Sequence, residues 1–406
     1  MQSGAAVLCH AGVTRRPQQE RRGILELSEV NGMKKIFAIN CGSTSTKVAY
    51  FEDDKMISKV SLDMTMEQLK EMPKVLDQLD FRTDQVKQFL DENGLSPSDF
   101  DMVVARGGTI PAVPNDGAYP VNELMIATVT YAPMAQHAST LSCLIGNKLV
   151  EGLDIPVIIY DPTSVDAADE VAKVTGIPEI TNRPIAHLLN TKMAGITYAQ
   201  SVGKNYQDLN LIIAQLGGGI TMGFHEHGRI ADWIYDDEGA MSPQRAGAIP
   251  TRYMAELCYN SDMTLQEMQM YLCGKTGFVA HFGTHDARVV EQMAADGDDK
   301  AALVLEAMAY GVAKSIGQLA VVRGGDVDQI VLTGGVAYSK RITDYIVDKV
   351  SFIAPVTILP GEKEMEALAA GALRVLNGEE EINPYDIYPP GYSSIKEIIR
   401  NPNHLA

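Results

Sequence analysis

The chain has 406 residues, 46% of them hydrophobic and 21% charged, which excludes a disordered, collagen-like or disulfide-scaffold protein. A formal net charge of −18 and a pI near 4.9 repel phosphate backbones, so no nucleic-acid partner is expected. No run approaches the roughly 18–20 apolar residues that span a bilayer; five cysteines without CxxC spacing fit a reducing compartment, and the expected location is cytoplasmic, with no membrane partner.

Residues 1–32 show no sustained periodicity, and a polar, Arg-rich run interrupts any apolar core that a secretory signal would need. At Met33 the pattern changes abruptly to the strand-like KKIFAIN. Residues 1–32 are therefore expected to be a disordered or non-native extension, with Met33 as the natural start.

The next segment, KIFAINCGSTSTKVAYFEDDKMISKVS (35–61), is matched in pattern by LNLIIAQLGGGITMGFHEHGRIADWIY (209–235). Each predicts a buried strand, a small-residue turn, a second strand, a polar turn and a third strand. Asn40 and Gln215 hold the same place in the two copies. Internal repetition of this kind predicts a duplicated α/β core. Gly42 and Gly217, Gly218 and Gly219 let backbone N–H groups approach an anion closely. Ser43, Thr44, Ser45, Thr46 and Thr221 add hydroxyls, and Lys47 adds charge. One such loop is usually structural; two equivalent loops suit a polyphosphate held between them.

Between the copies, VVARGG (103–108) places Arg106 after a strand, and APMAQHAST (132–140) holds His137. The buried run IPVIIYD (155–161) ends in Asp161, a carboxylate placed either to face a cleft or to cap the next segment. His187 lies in TNRPIAHLLN (181–190). A lone histidine is most often structural, and a loop arginine most often a solvated one. GTIPAVPNDGAYPV (108–121) mixes apolar residues with prolines and is expected to line a pocket.

Beyond the second copy, Arg245 sits in the small-residue loop SPQRAGAIP (242–250). His225 and His227 are assigned to a solvent-exposed turn and His281 and His285 to a loop, so no zinc site is expected. Gly274-Lys275-Thr276 resembles a P-loop tail, but Gln269 stands where that motif needs glycine; Met222 likewise breaks a dinucleotide fingerprint. In IVLTGGVAYSKRI (330–342), Gly334 and Gly335 turn a strand into a helix, whose start favours an anion or a nucleotide edge. Glu362, Glu364 and Glu366 open a final helix in PGEKEMEALA (360–369).

Together these residues resemble the acetate/butyrate kinase family, within the superfamily of acetate and sugar kinases, heat-shock chaperone ATPases and actin. IFAINCGSTSTK (36–47) matches the family's first signature throughout, and the resemblance spans about residues 33–380. QLGGGIT (215–221), VVARGG and MSPQRAGAIPT (241–251) depart from acetate kinase wording towards that of butyrate kinases. The resemblance implies an α/β fold of two duplicated ribonuclease H-like (actin-like ATPase) domains with an interdomain cleft. Residues 33–184 plus 370–406 would form the carboxylate and phosphate side, and 185–369 the nucleotide side. It implies ATP/ADP and Mg²⁺ as cofactors, a short-chain carboxylate as substrate, and a homodimer or higher homo-oligomer. Arg106, His187, Arg245 and Asp161 would be catalytic, with His137 and Arg106 binding substrate. Asn40, Gly42, Ser43, Thr44, Ser45, Lys47, Gln215, Gly217, Gly218, Gly219, Thr221, Gly334 and Gly335 would bind nucleotide, and Glu364, Asn40 and Asp161 the metal. The expected reaction is reversible in-line phosphorylation of butyrate, with a branched-chain or broad-range acid kinase second, and a non-catalytic actin- or chaperone-like protein as the reading from another class.

Overall fold

The computed structural model describes residues 32–135, 137–182 and 187–403. The extension expected at the N-terminus lies outside the described residues up to position 31, and so does the expected domain junction near 184. From Lys34 onward the chain forms one compact unit.

Strand period places alternate side chains on opposite faces. In β1 (Lys35–Cys41), Phe37 and Ile39 enter one core with Val86, Phe89 and Ile145, while Ile36 and Ala38 enter another with Leu368, Ala372 and Val375. Both faces are therefore covered, which is why the strand reads as an unbroken apolar run. The first core is closed by the helices Leu79–Glu92 and Leu141–Leu149, the second by the helix Glu364–Leu376. Pairing runs from β1 to β2 (Ser45–Glu52) and on to β3 (Lys55–Asp63), all antiparallel. On the other side of β1 come β4 (Met102–Ala105) and β6 (Val157–Tyr160), both parallel, with β5 (Ala118–Pro120) antiparallel at the edge. The sheet order is β3-β2-β1-β4-β6-β5.

The second sheet repeats this plan. Strands β7 (Asn210–Leu216), β8 (Ile220–Glu226) and β9 (Arg229–Ile234) form the antiparallel meander. Strands β10 (Gln329–Gly334) and β11 (Val356–Pro360) add in parallel, giving the order β11-β10-β7-β8-β9. Leu211, Ile213 and Val331 pack with Ala194 and Ala199 of the helix Leu188–Ser201. Ile212, Ala214 and Leu216 pack with Leu305, Met308 and Val312 of the helix Asp299–Ala320.

The repetition extends to detail that periodicity does not carry. Each meander has a register shift at the same place, between Tyr50 and Phe51 and between Phe224 and His225. Each second turn carries a non-glycine residue at positive φ, Asp53 at 54° and His227 at 48°. The first turns differ: four residues, 42–45, join the pair Cys41 and Thr46, but only three, 217–219, join Leu216 and Ile220.

Candidate active site

Both hairpin turns lie at the carboxyl ends of β1 and β7, where parallel-sheet folds place ligands. The first is closed by the Gly42 N–H donating to the Ser45 carbonyl at 2.8 Å. The second is closed by Gly217 donating to Gly219 at 3.1 Å, and its Gly218 carbonyl accepts from the Gln244 N–H and, at 2.6 Å, from the Ser242 hydroxyl. The loop bearing Arg245 is thus tied directly to the second hairpin.

A cavity of about 360 Å³ gathers residues from both halves of the fold. Of the predicted residues, Asn40, Gly42, Ser45, Lys47, Arg106, His137, His187, Gly219, Arg245 and Glu364 line it. A larger cavity of about 910 Å³ is lined by Asp116, Lys192, Arg374 and Glu380 and contains none of them.

Glutamates from one short segment serve both repeats. Asn40 donates its side-chain amide to Glu364 at 2.6 Å, and Gln215 donates to Glu362 at 3.1 Å. Glu364 opens the helix Glu364–Leu376, where the dipole favours an acid. Burial, and then the charge of Glu364, hold the Glu362 carboxyl above its usual pKa, while Lys47 and Arg106 oppose that rise.

His187 stands at the start of the helix Leu188–Ser201, with Nδ1 3.0 Å from the Thr221 hydroxyl of β8. Desolvation, and then the charges of Arg106 and Arg245 against that of Glu364, bring its pKa to about 4. The imidazole is therefore neutral at neutral pH and can donate a hydrogen bond. His137 meets the Ser139 hydroxyl through Nδ1 at 2.6 Å. Arg106 is buried and donates through Nη1 to the Asp161 carbonyl at 3.5 Å. Arg245 is held through Nε by Asp236 at 2.9 Å, and its Nη1 donates to the Gln244 and Cys273 carbonyls.

The remaining predicted residues lie elsewhere. The Asp161 side chain does not line the cavity. It is 1% exposed, at φ 43°, and accepts from the Gly117 N–H at 2.8 Å and Lys192 Nζ at 3.1 Å. Burial raises its pKa, and Lys192 opposes that rise. Lys192 also pairs with Asp116 at 2.6 Å. Asp161 reaches the site through its backbone carbonyl, which accepts from Arg106. Ser43 and Thr44 are exposed on the hairpin, outside the cavity lining. Gln215, Gly217, Gly218 and Thr221 sit in the second hairpin behind Gly219. Gly334, at φ 93°, bridges Gly361, and a Cβ there would stand 2.4 Å from the Leu216 carbonyl oxygen, so only glycine lets β10 end against the second hairpin. Gly335 opens the short turn that follows.

Two expectations change. His227 is exposed in its turn, but His225 is fully buried in β8, with Nδ1 2.5 Å from the Tyr206 hydroxyl. A strand covered on both faces leaves no solvent side for it. In the segment 108–121 only Gly108 and Thr109 line the cavity; Ile110 and Val113 are consumed by the core.

Sequence reasoning missed Arg82, whose guanidinium lies beneath the first hairpin, and Lys192. Each lies in a helix with ordinary amphipathic spacing, where a long basic side chain reads as a solvated one.

The cavity wall offers hard oxygen donors at Asn40 and Glu364. Among the described residues no group of three or more His, Cys, Asp or Glu could enclose an ion. That donor set fits a cation such as Mg²⁺, which keeps most of its waters and phosphate oxygens.

The family model described as the acetokinase family matches residues 187–358. The chain is 43% identical over 349 residues to a probable butyrate kinase 2 of Caldanaerobacter subterraneus subsp. tengcongensis, covering 86% of this chain and 98% of that protein. It is 42% identical over 353 residues to butyrate kinase 2 of Clostridium acetobutylicum, covering 86% and 99%. The chain belongs to the acetokinase family. Its fold matches the crystal structure of Porphyromonas gingivalis acetate kinase with a TM-score of 0.69 at 18% identity, over 85% of this chain and 100% of that one. A Francisella tularensis propionate kinase gives 0.65 at 19%, over 84% and 99%. The paired sheets of this acetokinase-family chain are those of the duplicated actin-like ATPase fold, and no helix among the described residues is long and apolar enough to cross a membrane.

Proposed function

We propose that this member of the acetokinase family transfers the γ-phosphoryl group of ATP to butyrate, giving butyryl phosphate and ADP, and runs the reverse reaction to form ATP. A carboxylate oxygen attacks the γ-phosphorus in line, and the bond to the β–γ bridging oxygen breaks. Two anions must meet, so positioning and cationic clamps supply most of the rate. The observation that carries this reading is the convergence of Arg106, Arg245 and a neutral His187 on the cavity that also holds the Asn40 hairpin. The curated names of its relatives support butyrate as the acid.

Arg106 and Arg245 carry planar forks that grip oxyanions and stay charged throughout. His187 donates a hydrogen bond to a phosphoryl oxygen, and His137 stands on the carboxylate side. The two hairpins hold the phosphates, with Gly334 and Gly335 beside the nucleotide. Glu364 and Asn40 would hold Mg²⁺, which, when bound, neutralises charge on the phosphate oxygens. Asp161 is assigned to positioning Arg106, because its carboxylate is spent on Lys192 and Gly117. The first-sheet half is assigned the carboxylate and the second-sheet half the nucleotide. A homodimer or higher homo-oligomer is assigned by the family resemblance, and a cytoplasmic location suits a consumer of ATP. Trapping acyl phosphate as hydroxamate across C2 to C5 acids tests the reaction. A branched acid ahead of butyrate would reassign the substrate, and no product with any acid would remove the kinase reading.

A further inference from the structure

Arg82 lies in the helix Leu79–Glu92, which continues the 3-10 turn Leu76–Gln78, and is 0% exposed. All five of its N–H donors are engaged. Nε and Nη2 donate to Gln78 Oε1 at 3.1 and 2.9 Å. Nη1 donates to the Ser45 carbonyl at 2.8 Å and the Thr46 hydroxyl at 3.0 Å, and Nη2 to the Ser43 carbonyl at 3.1 Å. Every one of these acceptors is neutral.

Among the described residues no carboxylate pairs with Arg82. The acid two positions before it, Asp80, is exposed and ion-paired with Lys148. Buried charges are ordinarily paired, because desolvation is costly. A neutral side chain could satisfy carbonyl acceptors at lower cost, so the hydrogen bonds alone do not account for a full charge here.

The missing counter-charge has an obvious place. Ser43, Ser45 and Thr46 belong to the first hairpin, and Cys41, Gly42 and Ser45 of the same hairpin line the cavity. In a trans peptide the N–H points opposite to the carbonyl. Drawing the Ser43 carbonyl towards Arg82 therefore turns the Thr44 N–H away from it.

Resting on the phosphoryl-transfer reading above, we propose that Arg82 is a positioning residue that fixes the first hairpin from beneath and whose charge is balanced by a phosphoryl oxyanion bound above it. The oxyanion belongs either to the terminal phosphate of a nucleoside triphosphate or to an acyl phosphate. The chemistry is shared, and the test separates the two sources.

The test is equilibrium binding of ATP, AMP and butyryl phosphate to the full chain and to Arg82→Gln, with melting followed alongside. Arg82→Gln should weaken ATP or butyryl phosphate, or both, at least tenfold and leave AMP within twofold. Whichever ligand weakens names the source. A merely structural role would shift AMP together with ATP, and that result overturns the proposal, as does a folded variant that binds both phosphoryl ligands within twofold. If Arg82→Gln does not fold, Arg82→Lys carries the test. It keeps the charge, so its ATP affinity should stay within threefold, and a tenfold loss overturns the proposal. An unaltered chain that binds no ATP would overturn the phosphoryl-transfer reading as well, whereas ATP binding indifferent to Arg82→Gln would overturn the role of Arg82 alone.

Discussion

Asn40 donates its side-chain amide to Glu364 at 2.6 Å, across 324 residues of chain. The corresponding residue of the second repeat, Gln215, does the same for Glu362. The strand ends of the two sheets are thus tied to one segment that enters the final helix, and the contact has a direct consequence. Loss of a partner that orients a metal ligand typically costs about 10–100-fold in metal affinity or activity, and Asn40→Ala removes the amide that orients Glu364 together with its own proposed oxygen ligand. We expect a higher Mg²⁺ requirement in Asn40→Ala, measured as activity against free Mg²⁺, and a similar rise in Glu364→Gln. An unchanged requirement in both would remove them from the metal site.

Arg245 has Asp236 on Nε and backbone carbonyls on Nη1, so its charge is held at the cavity wall before any ligand arrives. Arg245→Ala should lower kcat by about 10²–10³, the range for losing one preorganised electrostatic group. Asp236→Asn should give a smaller loss of the same kind, because it frees the guanidinium without removing it. Circular dichroism would verify folding, and near-normal turnover in folded Arg245→Ala would exclude it from the mechanism.

His187 and His225 make stability pH-dependent. Desolvation lowers His187 from 6.5 to about 4 and His225 to about 3. Between those values and 6.5 the unfolded chain binds protons that the folded chain refuses, so stability falls as pH falls through this window. His225→Gln should flatten the dependence of Tm on pH between about 6.5 and 4; an unchanged slope would contradict the burial assigned to it. By the same depression, His187 should put no inflection in kcat/KM near pH 6.5.

The repeat was legible because strand period and turn composition are local. What was not legible depends on partners distant in sequence. Asn40 and Gln215 stand out as the polar residues ending two apolar runs, but their glutamates lie 324 and 147 residues away. Asp161 was correctly read as a buried strand end, yet its direction is set by Lys192 and Gly117, which no strand pattern encodes. His225 read as a turn residue because HEHGR is polar, whereas the meander continues through it. The apolar residues of 108–121 read as a pocket lining because composition does not separate a cavity wall from a core.

Lys192 connects two parts of the site. It lies on the helix that His187 begins, and it pairs with Asp161, whose carbonyl accepts from Arg106. Lys192→Met leaves Asp161 without its cation, and breaking a buried pair costs about 3–5 kcal/mol. We expect a marked fall in Tm, and in any folded fraction a rise in KM for the carboxylate that exceeds the rise in KM for ATP. Adding Asp161→Asn should recover much of the stability by removing the uncompensated charge. A double variant no more stable than Lys192→Met would contradict the pairing.

The most direct test of the account is whether purified chain with ATP and Mg²⁺ makes a hydroxylamine-trappable acyl phosphate from butyrate, with ADP released in equal amount. Stoichiometric butyryl hydroxamate and ADP are expected, with butyrate ahead of acetate. ATP hydrolysis without acyl phosphate, or no turnover by folded protein with any C2 to C5 acid, would contradict it.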